Sequence, residues 1–133
     1  MTISILDKIK QANLVGRGGA GYPVANKWQA VKEAAQKQKL KPYIVMNAAE
    51  GEPGIFKDGF ILANYSSAVI TGLGLAIKFF NAEKAYIYIH HDYYRRYRRL
   101  LASEISKQKL NGKVELFSKP LTAGYIGGEE STI

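Results

Sequence analysis

The chain has 133 residues, 47% apolar and 23% charged, proportions that suit one globular domain with a single core. It has no cysteine, which excludes disulfides and thiolate metal sites within it, and two histidines are too few for a histidine-rich metal centre, so no metal site is expected. No apolar run reaches the roughly 18 residues of a bilayer span and the first fifteen residues lack a signal-peptide core, so a cytoplasmic chain without direct membrane insertion is expected.

The elements follow from periodicity. Ile3, Leu6 and Ile9 share one helical face, predicting a short amphipathic helix over 3–11. The Ala-, Lys- and Gln-rich stretch 25–39, with Trp28, Val31 and Ala35 on one side, predicts a second helix that Pro42 stops. Residues 43–47 form a short apolar run of the buried-strand type. Val69, Ile70, Leu73, Ile77 and Phe80 predict a helix over 63–80 ending at Asn81, in which Gly72 and Gly74 are expected to pack closely on a sheet. Residues 84–89 are the clearest strand, dense in aromatic and β-branched side chains. Asp92 is the expected cap of a helix running to about Leu110, with Asn111-Gly112 beyond it, and 114–117 is a third strand. Alternating strands and helices imply an α/β fold, Rossmann-like, with a mostly parallel sheet flanked by helices.

The net charge of +8 is concentrated in the helix after the second strand, where Arg95, Arg96, Arg98 and Arg99 interleave with tyrosines. That mixture occurs in single-strand nucleic-acid binders. At helical spacing, however, Tyr94, Tyr97, Leu101 and Ile105 turn inward and the arginines outward, so a solvated face or an acidic protein partner is favoured and nucleic acid is not expected.

Three loops carry the chemistry. The first, Gly16-Arg17-Gly18-Gly19-Ala20-Gly21-Tyr22-Pro23, packs four glycines into six positions, a density that fits backbone brought close to an anion such as a phosphate. It matches G-x-G-x-x-G formally, but a helix rather than a strand is expected before it, which is the wrong context for a dinucleotide fingerprint. Arg17 and Lys27 can add charge there or simply face water. The second loop, from Asn47 through Glu50 and Glu52 to Pro53-Gly54, leaves the C-terminal end of a strand, where open α/β sheets place ligands. Asn47 offers both donor and acceptor, and the two glutamates suit ribose hydroxyls or amides; a plain turn with both acids in water is the alternative. In the third, Gly127-Gly128 precedes Glu129-Glu130, acids that the start of a helix would also favour.

Taken together, the loops resemble the NADH- and FMN-binding flavoprotein (F or 51-kDa-type) subunit of respiratory complex I, a module shared with NAD-reducing hydrogenases and NAD-linked formate dehydrogenases. The residues carrying the resemblance are 16–23 with Lys27-Trp28, Asn47-Ala48, Glu50 to Gly54 with Lys57-Asp58, 85–89, and Gly128-Glu129-Glu130. The resemblance implies that residues 1–133 are a single FMN/NADH-binding domain, ending before the family's ubiquitin-like and iron–sulfur domains. It implies FMN and NADH as cofactors, with any cluster on sequence outside this chain. It further implies that Gly16, Arg17, Gly18, Gly19 and Gly21 contact nucleotide backbone and that Asn47, Gly128 and Glu129 lie against FMN. Tyr22, Lys27, Glu52 and Glu130 would hold NADH, and no catalytic side chain is needed because the cofactor carries the chemistry. Implied partners are other subunits of a complex I-like or NAD-linked dehydrogenase, peripheral to a membrane through them. The chain departs from the pattern at Ala49 (usually Asp), at Ala30 (usually aromatic) and at Gly127 (frequently Cys). A flavin-free binding or assembly module that docks a partner, or nucleic acid, through its basic helix is the second reading.

Overall fold

The three short apolar runs do become strands, and each is held parallel to the next. In this computed structural model, which describes residues 3–124 and 126–128, the chain divides into two compact units, Met1–Pro42 and Tyr43–Ile133.

The first unit holds α1 (Ile5–Gln11) and α2 (Val24–Gln38). Ser4 caps α1, its Oγ accepting from the Asp7 amide at 3.2 Å and donating to the Asp7 carboxylate at 2.6 Å. Ile9 is buried and α1 packs against α2. Lys39 adopts a left-handed φ of 55°, and the Leu40 amide then reaches back to the Ala35 carbonyl, closing α2 with a Schellman turn.

In the second unit the order is β1 (Ile44–Ala48), α3 (Lys57–Phe80), β2 (Ala85–Ile89), α4 (His91–Lys107) and β3 (Val114–Ser118), followed by 3-10 turns at Leu121–Ala123 and Ile126–Gly128. The sheet order is β1-β2-β3, all parallel, with Ala48, Ile89 and Ser118 in register at the C-terminal edge. Two crossovers advancing in the same direction with the same hand lay both helices on one face. That face is the core: Leu62, Ile70, Leu73 and Ile77 of α3 and Leu101 and Ile105 of α4 pack on Ala85, Ile87 and Ile89. Burying each large aliphatic side chain contributes about 1.5–3 kcal/mol. The other face shows Val45, Asn47, Tyr86, Tyr88, Glu115 and Phe117; Tyr43 stacks on Tyr86 at 6.2 Å and Tyr88 lies 6.1 Å from Phe117.

Several local expectations are corrected. α3 begins at Lys57, not at residue 63, and a break at Tyr65 (φ −132°) divides it. The longer helix is, by length and composition alone, long and apolar enough to cross a membrane, which the run-length reading did not anticipate; its buried side chains here pack on the sheet. Gly72 meets nothing within 4 Å, and Gly74 approaches Leu110 rather than the sheet. The close-approach glycine of this helix is Gly59, where a Cβ would lie 2.7 Å from the Tyr93 ring. α4 is capped by His90, whose Nδ1 accepts from the Asp92 amide at 3.3 Å, so Asp92 is the residue capped rather than the cap. It ends at Lys107 because Lys109 takes the left-handed turn (φ 57°) before Asn111-Gly112 is reached. Asn81, at φ 49°, stops α3 as its side-chain type suggests.

Candidate functional site

The glycine loop lies wholly in the first unit. The helix α1 precedes it, as expected, and the loop is pinched at its neck by a bridge between Val15 and Pro23 and by the Gly16 amide donating to the Tyr22 carbonyl at 2.8 Å. Between these points the backbone runs free. Gly19 (φ 114°) and Gly21 (φ 61°) hold angles that L side chains rarely adopt, and no atom lies within 4 Å of where their Cβ would be. Arg17, Gly18, Gly19, Gly21, Tyr22 and Lys27 are all exposed, Gly16 half-buried. The loop runs through Pro23 straight into the N-terminus of the 15-residue α2, the helix end that favours anions.

The second unit brings Asn47, Glu50 and Gly128 together at the C-terminal edge of the sheet. Asn47 Nδ2 donates to the Gly128 carbonyl at 2.8 Å, and its Oδ1 accepts from the Ala49 amide at 3.1 Å. One amide hydrogen and one lone pair of Asn47 remain for a ligand. Gly128 is required by contact: a Cβ there would lie 2.6 Å from the Ala49 carbonyl oxygen. At Gly127 a Cβ would lie 2.5 Å from Ala123 Cβ and 3.1 Å from Lys119 Cε, so a cysteine would need this turn to shift.

Glu50 has internal partners. Its carboxylate accepts from the Asp58 amide (3.1 and 3.3 Å), capping the first turn of α3, and from Tyr93 Oη at 2.9 Å. Loss of water, then the bond to Glu50, pushes the Tyr93 hydroxyl up to about 12. Lys57 is raised mainly by its bond to Asp58, 2.8 Å away. Glu52 is exposed on the loop, and its carbonyl closes the turn by accepting from the Ile55 amide at 3.2 Å. Glu129 and Glu130 lie outside the described residues.

Beyond the strand ends, the His90 amide donates to the Ala48 carbonyl at 2.9 Å and the Lys119 amide to the Ile89 carbonyl at 2.7 Å. These bonds extend the ladder by one residue and line up Ala49, His90 and Lys119 along the edge. Burial, then the neighbouring His91, lowers the His90 imidazole, so it is neutral at pH 7. His90, His91 and Asp92 offer ligand atoms within 4.8 Å of one another. They sit at the positive end of α4, however, and the His90 Nδ1 lone pair is already used by the cap. Sequence reasoning passed over Tyr93, His90 and Lys119. For Lys119 the available signal was a lysine set between Ser118 and Pro120 directly after a strand.

The fold and this edge define a parallel α/β unit with its loops gathered at the strand C-termini, the edge where open sheets of this class place ligands. The family model described as the Nuo51 FMN-binding domain matches residues 9–133, and the chain belongs to that family. Among relatives, it is 44% identical over 96 residues to the second F-type subunit of the NADH-quinone oxidoreductase of Rhizobium meliloti, covering 72% of this chain and 22% of that protein. It is 34% identical to the F-type NADH-quinone oxidoreductase subunit of Aquifex aeolicus, over 97% of this chain and 32% of that one. The crystal structure of an air-oxidized NAD+-reducing [NiFe]-hydrogenase superimposes with a TM-score of 0.77 and 36% identity, covering 96% of this chain and 22% of that chain. The chain thus spans between a fifth and a third of the length of these proteins.

Proposed function

We propose that this domain binds FMN and NADH and serves as the electron-input module of a complex I-type or NAD-linked dehydrogenase. The observation that carries the reading is the family match over residues 9–133 together with a site edge whose residues fit a flavin nucleotide. The fit rests on an Asn47 amide with unspent donor and acceptor and on the Asn47–Gly128 bond that shapes the turn; by itself, the first unit offers open glycine backbone at Gly18, Gly19 and Gly21. Bound FMN would supply hydride acceptance from NADH and onward electron release.

The chain's residues bind and orient. Gly18, Gly19 and Gly21 offer backbone amides, Gly16 holds the neck of their loop through Tyr22, and Arg17 adds positive charge beside them. Asn47, Gly128 and Glu129 form the wall for FMN. Tyr22, Lys27, Glu52 and Glu130 hold NADH, while Glu50 keeps the second loop in place through Asp58 and Tyr93. No side chain is assigned a proton transfer. Other subunits of the assembly receive the electrons, through an iron–sulfur cluster outside this chain, and they place the domain on the cytoplasmic side, peripheral to the membrane.

Purification with added FMN tests this directly. A stoichiometric flavin band bleached by NADH is expected, and Glu52→Ala should slow bleaching while flavin stays bound. A folded sample that retains no flavin sinks the reading. The exposed Arg95, Arg96, Arg98 and Arg99 face of α4 favours the second reading, in which the domain docks an acidic partner without flavin. In that case, reversing these charges abolishes assembly whether or not FMN is supplied.

A further inference from the structure

Lysine is rarely buried without a partner, because its ammonium loses water that only an opposite charge or several acceptors can replace. Lys119 is 4% exposed. Its backbone is fixed by the bond to Ile89, and its Cε lies 3.1 Å from where a Cβ on Gly127 would stand, so the side chain runs under the Ile126–Gly128 turn. Among the described residues no hydrogen bond or ion pair of its Nζ is found. The described acids of this edge have other neighbours: Glu50 accepts from the Asp58 amide and Tyr93, and Asp92 lies 3.5 Å from His91 and 4.0 Å from His90. His90, the imidazole beside it on the edge, is neutral and brings no countercharge, and the N-terminus of the 17-residue α4 adds positive potential. A lysine kept for packing alone would be expected to pair with a carbonyl or carboxylate. This one is almost wholly covered and, among the described residues, unpaired at the C-terminal edge of the sheet.

We propose that the Lys119 ammonium is the countercharge for a negatively charged group of the flavin nucleotide seated against the Gly127–Gly128 turn. The inference rests on the flavin reading above. Two groups of that ligand carry such charge: the phosphate, and the ring system once reduced. A fixed positive charge near the ring favours its reduced form.

The full chain and its Lys119→Met and Lys119→Arg variants are titrated with FMN and with riboflavin by flavin fluorescence. The midpoint potential of the bound flavin is measured, and thermal unfolding is recorded without flavin. Without ligand, Lys119→Met should melt at or above the wild type, since no hydrogen bond or ion pair among the described residues is lost and an apolar chain of similar length takes the covered position. If the phosphate is the partner, Lys119→Met weakens FMN binding ten-fold or more and leaves riboflavin binding unchanged. If the ring is the partner, both oxidised flavins bind as before and the midpoint potential falls. Lys119→Arg should restore either effect at least in part. A Lys119→Met protein with wild-type affinity and potential overturns the proposal, as does one that melts below the wild type without flavin. Equal weakening of both oxidised flavins at unchanged potential also overturns it, marking a contact to the neutral ring. A wild type that binds neither flavin overturns the flavin reading and this proposal with it, whereas the other failures overturn this proposal alone.

Discussion

Asn47 at the end of β1 donates to the carbonyl of Gly128 at 2.8 Å, across 81 residues of sequence, and this bond joins the first and last loops of the sheet edge. Asn47→Ala removes it and frees the Ala49 amide as well. A hydrogen bond of this kind contributes about 0.5–1.5 kcal/mol, so FMN affinity should fall by about ten-fold at most, and the melting temperature should fall as well because both internal bonds are lost. Asn47→Asp keeps the acceptor for Ala49 but sets a carboxylate against the Gly128 carbonyl, and should be the worse of the two. Flavin titration of both variants checks the ranking; wild-type affinity in Asn47→Ala would falsify the role given to this bond.

Two glycines should respond oppositely to alanine. At Gly128 the new Cβ meets the Ala49 carbonyl oxygen at 2.6 Å, backbone that cannot swing aside, and the loss should be about 1–3 kcal/mol. At Gly72, inside α3 with nothing within 4 Å, alanine should stabilise by about 0.5–1 kcal/mol through lower backbone entropy in the unfolded chain. Thermal melts of the pair decide it, and a destabilising Gly72→Ala would contradict the open surroundings of that position.

Tyr93 donates to Glu50, and its hydroxyl is pushed up to about 12. A folded-state value above the unfolded one of about 10 means that the unfolded chain loses this proton first. The group's contribution is therefore complete below pH 10 and declines from pH 10 towards 12. Tyr93→Phe lacks the bond and should be less stable by about 1 kcal/mol near neutrality. The gap to the wild type should narrow above pH 10, as read from denaturant midpoints; a constant gap would count against this bond as its cause.

His90 behaves in the reverse direction. Burial lowers its imidazole below the ordinary 6.5, so the unfolded chain gains a proton first as pH falls. Its contribution is complete above about pH 6.5 and is lost as pH drops through the lowered value. Protonation also removes the Nδ1 acceptor that caps α4. His90→Asn retains a capping oxygen and should lose less stability than the wild type between pH 7 and 5. Parallel losses in the two proteins would remove His90 from the acid response.

Local patterns were legible in the residues themselves. The spacing of Leu101 and Ile105 set the inward face of α4 and turned Arg95 and Arg99 outward, because a helix repeats every 3.6 residues whatever surrounds it. The left-handed stop at Asn81, the glycine loop after a helix and the strand at 85–89 were legible for the same reason: each depends on neighbours in sequence. The start of α3 was not, because its first turn is capped by Glu50, eight residues earlier, itself held by Tyr93 from another helix. Nor did composition mark Lys119 among 19 basic residues as the one that is buried. By itself the sequence determined the elements, the loops and the family. Only the tertiary structure decided which polar groups are used up inside the protein and which are left for a ligand, since desolvation and pairing exist only once distant segments meet.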